Sequence, residues 1–270
     1  MPPAGRRTLI VVLHGCTQDA DDIARGSRFN EAAARDGFVV LYPEQPESAH
    51  PRKCWNWYVP EQRGRGAGEA AIIANLTMKV AREEGIDPGR VFIAGISAGA
   101  AMAANLAAGY PDLYAAAAFH SGLPAFVGND VTSALAVMSK GPAESDDTGA
   151  LAFHEMGARA RVVPVIAIHG VSDPSVSIVN LREIARQWVA ANALAARAKA
   201  PGPLEIHPAD GRLSGLRWAL PDGTVIAETW RIEGLAHAWS GGSAAGSYTD
   251  PGAPDATSMM LEFFRGHPRP

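Results

Sequence analysis

Gly95-Ile96-Ser97-Ala98-Gly99 is the stretch of this chain best suited to covalent chemistry. An apolar run at 91–94 precedes it and an alanine-rich segment at 100–108 follows. That spacing predicts a strand, a sharp turn with a serine at its apex, and a helix. Such a turn strains the serine backbone and lifts its hydroxyl above the sheet edge. Flanking glycines are required because a side chain there would strike the neighbouring strand and helix. The pentapeptide alone is a weak signal; its flanking elements make Ser97 a candidate nucleophile.

A serine hydroxyl needs a base to take its proton, and histidine titrates closest to neutrality. The chain has eight histidines: His14, His50, His120, His154, His169, His207, His237 and His267. In α/β-hydrolase order the serine comes first, then an acid, then the histidine, with the last two on loops after late strands. His237, just past the apolar run that ends at Ile232, fits the base. Asp173, after the apolar run at 162–168, fits the acid that orients the imidazole and stabilises its protonated form. The alternative for Asp173 is an Asp-Pro turn or a helix cap. Asp146, Asp147, Asp210 and Asp222 fall in polar loops or a hairpin turn and suit the role less well.

An oxyanion intermediate needs two N–H donors. One is expected from Ala98, after the serine. The other is assigned to Cys16 in His14-Gly15-Cys16-Thr17-Gln18, with Thr17 as the fallback; His14 then reads as structural. His120, closing a run at 114–119, reads as a brace for the serine turn. Trp57 and Trp239 suit contact with an aryl or alkyl acyl group, with ordinary loop packing as the alternative. Tyr58 lies in the same loop, and Trp55, beside Cys54, leans structural.

Elements that would hold these residues alternate along the chain. Apolar strands are expected at 9–13, 38–42, 91–94, 114–119 and 162–168. Helices are expected at 20–36, 69–84, 178–198 and 256–264. Asp87-Pro88-Gly89 reads as a turn, 43–67 as a long loop, and 122–149 as a loop-rich cap. Asp222-Gly223 between 213–220 and 224–232 predicts a hairpin. The pattern is α/β: a mostly parallel sheet covered on both faces, in one domain spanning 1–270. With 270 residues and 47% hydrophobic content, one large core is expected.

Net charge is −4, with no basic run or basic-aromatic patch, which argues against nucleic acid. No apolar stretch is long enough to cross a bilayer. Met1-Pro2-Pro3-Ala4-Gly5-Arg6 lacks an apolar signal core, consistent with a cytoplasmic, a mature or a truncated chain. Two cysteines, Cys16 and Cys54, are too few for a disulfide scaffold and form either one bridge or two buried thiols; neither sits in a metal-ligand spacing.

Taken together, the motifs resemble the esterase family named after polyhydroxybutyrate depolymerases, with feruloyl and acetylxylan esterases among its relatives. The resemblance rests on His14–Gln18, Cys54-Trp55-Asn56-Trp57, the serine pentapeptide, Tyr110-Pro111-Asp112, His120-Ser121-Gly122-Leu123, Ala236-His237-Ala238-Trp239-Ser240-Gly241-Gly242 and Tyr248-Thr249-Asp250-Pro251. It covers nearly the whole chain. It implies an α/β-hydrolase three-layer sandwich, no metal or organic cofactor, a Ser97–Asp173–His237 triad, and a Cys16–Cys54 disulfide. It also implies a secreted or periplasmic setting. Family members carry strands before the His-Gly-Cys strand, whereas about eight residues precede it here, so one or two edge strands are expected to be missing. An exposed apolar edge of that kind favours a homodimer or aggregation.

The implied activity is hydrolysis of short-chain or aryl carboxylic esters, of hydroxyalkanoate-oligomer, feruloyl or acetyl type. The alternatives are an acyltransferase with the same triad, a peptidase, and a catalytically inactive polymer-binding module.

Overall fold

The computed structural model describes residues 7–208 and 210–269. The leading segment Met1–Arg6 discussed above therefore lies outside the described residues.

Eight strands form one sheet: β1 (Arg7–Leu13), β2 (Val39–Leu41), β3 (Ile86–Ile96), β4 (Ala116–His120), β5 (Val165–Gly170), β6 (Leu204–Ile206), β7 (Leu213–Ala219) and β8 (Val225–Ile232). Their order is β2-β1-β3-β4-β5-β8-β7-β6. The first six in that order are parallel, while β7 and β6 extend the sheet antiparallel from β8. β1 is thus interior and the half-buried β2 forms an edge.

Strand alternation sorts the apolar side chains into two layers. Leu9, Val11, Leu13 and Ile93 face one cluster with Ile73, Leu106 and Trp188, from the Gly68–Glu83, Ala98–Gly109 and Val179–Ala195 helices. Ile10, Val12, Phe92 and Ala94 face the other with Ile23, Phe29 and Phe264, from the Ala20–Ser27, Phe29–Asp36 and Ala256–Gly266 helices. The result is helix layer, sheet, helix layer, as the alternating pattern predicts. Among the described residues no helix is long and apolar enough to cross a membrane.

Several expected boundaries differ. The helix expected at 20–36 is two helices, Ala20–Ser27 and Phe29–Asp36, broken at Arg28 in the left-handed region (φ 64°). The break has tertiary partners: the Gly26 carbonyl accepts the Ser243 N–H at 2.8 Å, and the Ser27 carbonyl accepts the Thr257 hydroxyl at 2.5 Å. Asp87-Pro88-Gly89 does not separate elements. It sits within β3 as an irregularity opposite Arg7–Leu9, with the Gly89 N–H bonded to the Asp87 side chain at 2.8 Å. The region expected to be a loop-rich cap contains the helix Val131–Lys140, started by an Asp130 capping box, and the beginning of Thr148–Met156.

Candidate active site

Ser97 stands at the top of β3 with φ 58° and ψ −124°, the strained geometry expected of a serine elbow. Its N–H donates to the His120 carbonyl at 3.0 Å, which ties the turn to β4. The two glycines are required by backbone contact. A Cβ on Gly95 would lie 2.5 Å from the Gly99 backbone, and one on Gly99 would lie 2.3 Å from the Leu13 carbonyl oxygen. The Ala98–Gly109 helix starts immediately after the serine, so its free N–H groups face the hydroxyl.

Asp173 and His237 come from neighbouring loops after β5 and β8. These loops are joined by backbone bonds from the Val171 N–H to the Ile232 carbonyl (2.9 Å) and from the Ser172 N–H to the Leu235 carbonyl (3.1 Å). Asp173 Oδ2 lies 2.7 Å from His237 Nδ1, and the carboxylate is fully buried. Its other oxygen accepts the Ser175 and Val176 N–H groups at 2.8 and 2.9 Å. Burial pushes the carboxyl pKa up, but hydrogen bonds from His169, His237 and Val176 outweigh it and hold the group well below the usual carboxylate range. Asp173 therefore stays ionised and accepts a hydrogen bond from His237 Nδ1–H.

His169 is a participant that sequence reasoning gave no role. It is fully buried, and its Nε2–H is shared between the Val176 carbonyl (2.9 Å) and Asp173 Oδ2 (3.4 Å). The signal available was its position four residues before Asp173, on the same strand end.

On the far side of the serine, Gly15 packs against Ser97, with room for a Cβ only 3.5 Å from the Ser97 Cβ. The loop after β1 is held by the Gly15 N–H on the Gln18 side chain (2.9 Å) and by Gln18 on Asp22 (2.8 Å). The Thr17 N–H is taken by the Arg52 carbonyl at 2.7 Å, which removes the fallback oxyanion donor. Cys16 is bonded to Cys54, so the loop carrying Arg52 and Lys53 is clamped to the β1 loop.

His14 is fully buried; its Nε2 accepts the Gln45 N–H at 3.0 Å and its Nδ1 meets the Gly15 carbonyl at 2.8 Å. Desolvation lowers its pKa, and both nitrogens are occupied, so it supports the loop.

A cleft of about 270 Å³ gathers Ser97, His237, Gly15, Cys16, Gln18, Arg52, Ile96, Met138, Ser175 and Tyr248. Met138 brings the Val131–Lys140 helix to this cleft. Larger cavities, such as one of about 630 Å³ between β8 and the C-terminal helix, contain neither the serine nor the Asp173–His237 pair. Among the described residues no three His, Cys, Asp or Glu side chains gather as a metal site.

The aromatic residues sort differently from expectation. Trp57 and Trp239 are 4% and 1% exposed and belong to the two core clusters, so the packing alternative describes them. Trp239 donates to the Thr257 hydroxyl at 3.0 Å and stacks on His120. Trp55 donates to the His14 carbonyl at 3.0 Å and is structural as expected. Tyr248 is instead the aromatic side chain at the cleft, 47% exposed, with its hydroxyl 3.1 Å from the Thr17 hydroxyl.

Comparison with known proteins bears on the family and the fold. The family described as "Esterase PHB depolymerase" matches residues 2–203, a span that includes Ser97 and Asp173 and ends before His237. Poly(3-hydroxyalkanoate) depolymerase C of Paucimonas lemoignei is 32% identical over 246 residues, 90% of this chain and 56% of that protein. A probable acetylxylan esterase A of Aspergillus fumigatus is 37% identical over 120 residues, 43% of this chain and 31% of that protein. The chain thus spans about a third to just over half of these relatives. Among solved structures, an acetyl xylan esterase from Aspergillus awamori superposes with a TM-score of 0.78 at 22% identity, covering 97% of this chain and 90% of that one. That likeness shows the α/β-hydrolase fold. With the family match covering most of the chain and the first relative sharing a third of its residues, the chain belongs to the Esterase PHB depolymerase family.

Proposed function

We propose that the protein is a serine carboxylic-ester hydrolase working through an acyl-enzyme, with Ser97, His237 and Asp173 as its triad. The observation that carries this reading is the 2.7 Å Asp173–His237 bond directed at a cleft that also holds Ser97. His237 Nε2 takes the Ser97 proton as Oγ attacks the ester carbonyl. The Cys16 and Ala98 N–H groups hold the developing oxyanion. His237 then protonates the departing alcohol, and a water deprotonated by the same ring releases the acid. Asp173 stabilises the imidazolium in both halves without taking the proton itself.

The substrates are short-chain or aryl esters of the hydroxyalkanoate-oligomer, feruloyl or acetyl type. Support comes from relatives named for poly(3-hydroxyalkanoate) and acetylxylan and from the small cleft volume of about 270 Å³. The deciding experiment is labelling with a fluorophosphonate alongside turnover of p-nitrophenyl acetate. Peptide mapping should place the label on Ser97, and Ser97→Ala should abolish both signals. Turnover retained in Ser97→Ala, or label on another residue, would reject this assignment.

A further inference from the structure

We propose that Arg52 makes this cleft selective for esters that carry a free carboxylate a few atoms from the scissile bond. The inference rests on the esterase reading above and names the substrate class of that same site.

Of the ten residues lining the cleft, Arg52 is the one with a permanent charge; none is Asp or Glu. The nearby carboxylates are engaged elsewhere. Asp173 is fully buried behind His237, Asp22 accepts from Gln18 and the Ser247 N–H, and Asp19 pairs with Lys53 at 3.4 Å. The Arg52 guanidinium has no ion pair among the described residues.

Its backbone is nevertheless fixed. The Arg52 carbonyl accepts the Thr17 N–H at 2.7 Å, its N–H donates to His50 Nδ1 at 3.1 Å, and the Cys16–Cys54 bridge closes the loop two residues on. An exposed arginine on a held backbone, lining a small cleft and without an ion pair among the described residues, has its guanidinium available to an anion there. Arginine offers planar paired donors that match a carboxylate. Arg52 is exposed, and with no acidic side chain among the residues lining the cleft it also attracts anions during encounter. Linear hydroxyacid oligomers and half-esters of dicarboxylic acids share this chemistry, the first with the charge on the leaving alcohol and the second on the acyl group.

Two matched pairs test both sources. The 3-hydroxybutyrate dimer is compared with its terminal carboxamide, and monoethyl glutarate with ethyl glutaramate. Within at least one pair the charged member should show kcat/KM about tenfold higher, through KM. Arg52→Gln should bring that ratio close to one, Arg52→Lys should retain part of it, and raising ionic strength from about 0.05 M to about 0.5 M should shrink it in the unaltered protein. Fluorophosphonate labelling of each variant verifies an assembled site.

A ratio near one for both pairs, or an unchanged ratio in Arg52→Gln, overturns the proposal while leaving the esterase reading intact if neutral esters are still cleaved. Calorimetric binding to Ser97→Ala supplies a readout independent of turnover. The charged member of the preferred pair should bind about tenfold more tightly than its amide. Equal binding overturns the role of Arg52 whether or not hydrolysis is observed.

Discussion

The buried ring of His120 accepts a hydrogen bond from the Ser240 N–H at 3.2 Å. Its own carbonyl accepts the Ser97 N–H, so one residue joins the serine turn to the segment three residues beyond His237. The ring proton therefore sits on Nδ1, facing the Ser121 hydroxyl at 3.2 Å. His120→Ala should leave the Ser240 N–H unsatisfied and open a cavity, lowering stability by about 2–4 kcal/mol in urea titrations. His120→Gln, which can restore an acceptor near the Nε2 position, should recover part of that loss. Equal stability of the two variants would show that the Ser240 bond does not matter.

Acid sensitivity follows from the same ring. Burial, with smaller contributions from His169 and His237, lowers the His120 pKa from 6.5 to about 3. Between those values the unfolded chain binds the proton and the folded protein does not, so stability rises with pH across that window and falls on acidification. The limiting slope is about 1.4 kcal/mol per pH unit. The depressed Asp173 adds a second loss below its ordinary pKa of 3.8, where its stabilising contribution disappears as the carboxylate is protonated. Urea midpoints measured from pH 7 down to pH 4 should decline, and less steeply in His120→Gln. A pH-independent midpoint would contradict a neutral buried His120.

Asp173→Asn should preserve the fold and lower kcat for p-nitrophenyl acetate by about 10⁴. The carboxamide can donate to Nδ1 and so place the ring proton on Nε2, where it blocks proton uptake from Ser97. A loss under about tenfold would argue that another acid orients His237.

Cutting the Cys16–Cys54 link should affect both stability and chemistry. The bridge closes a loop of 38 residues, and the chain-entropy treatment puts its contribution near 4 kcal/mol. Because Cys16 also supplies an oxyanion donor in the proposed mechanism, the Cys16→Ser/Cys54→Ser pair should reduce kcat beyond what unfolded material explains. Thermal melts and active-site titration of the folded fraction separate the two effects.

Gly99→Ala places a methyl carbon 2.3 Å from the Leu13 carbonyl oxygen, a backbone atom that cannot rotate away. β1 and the serine helix must separate, at a cost of about 1–3 kcal/mol or more. The separation also moves apart the Cys16 and Ala98 N–H groups proposed as oxyanion donors. Soluble, fully active Gly99→Ala protein would show that this approach is not needed.

The strand–serine–helix turn, the Asp173 and His237 positions and the Asp222-Gly223 hairpin were legible because each is a local pattern: glycine punctuation beside an apolar run, or a polar residue just past a strand. Short elements escaped that reading. The strands Trp239–Ser240 and Thr249–Asp250, which hold the His237 loop, are two residues each and carry no periodicity. The break at Arg28 escaped it too, because the donors that end the first helix, Ser243 and Thr257, lie more than two hundred residues away.

The amino-acid sequence by itself determined the order of layers and the side chains available for acyl chemistry, since apolar periodicity and turn residues act over a few neighbours. Tertiary structure decided which of them face a common space. It buried Trp57 and Trp239, put Tyr248 and Arg52 at the cleft, gave Asp173 a second histidine in His169, and occupied the Thr17 N–H. Each of those outcomes depends on contacts between residues distant in the chain, and such contacts exist only once the layers have packed.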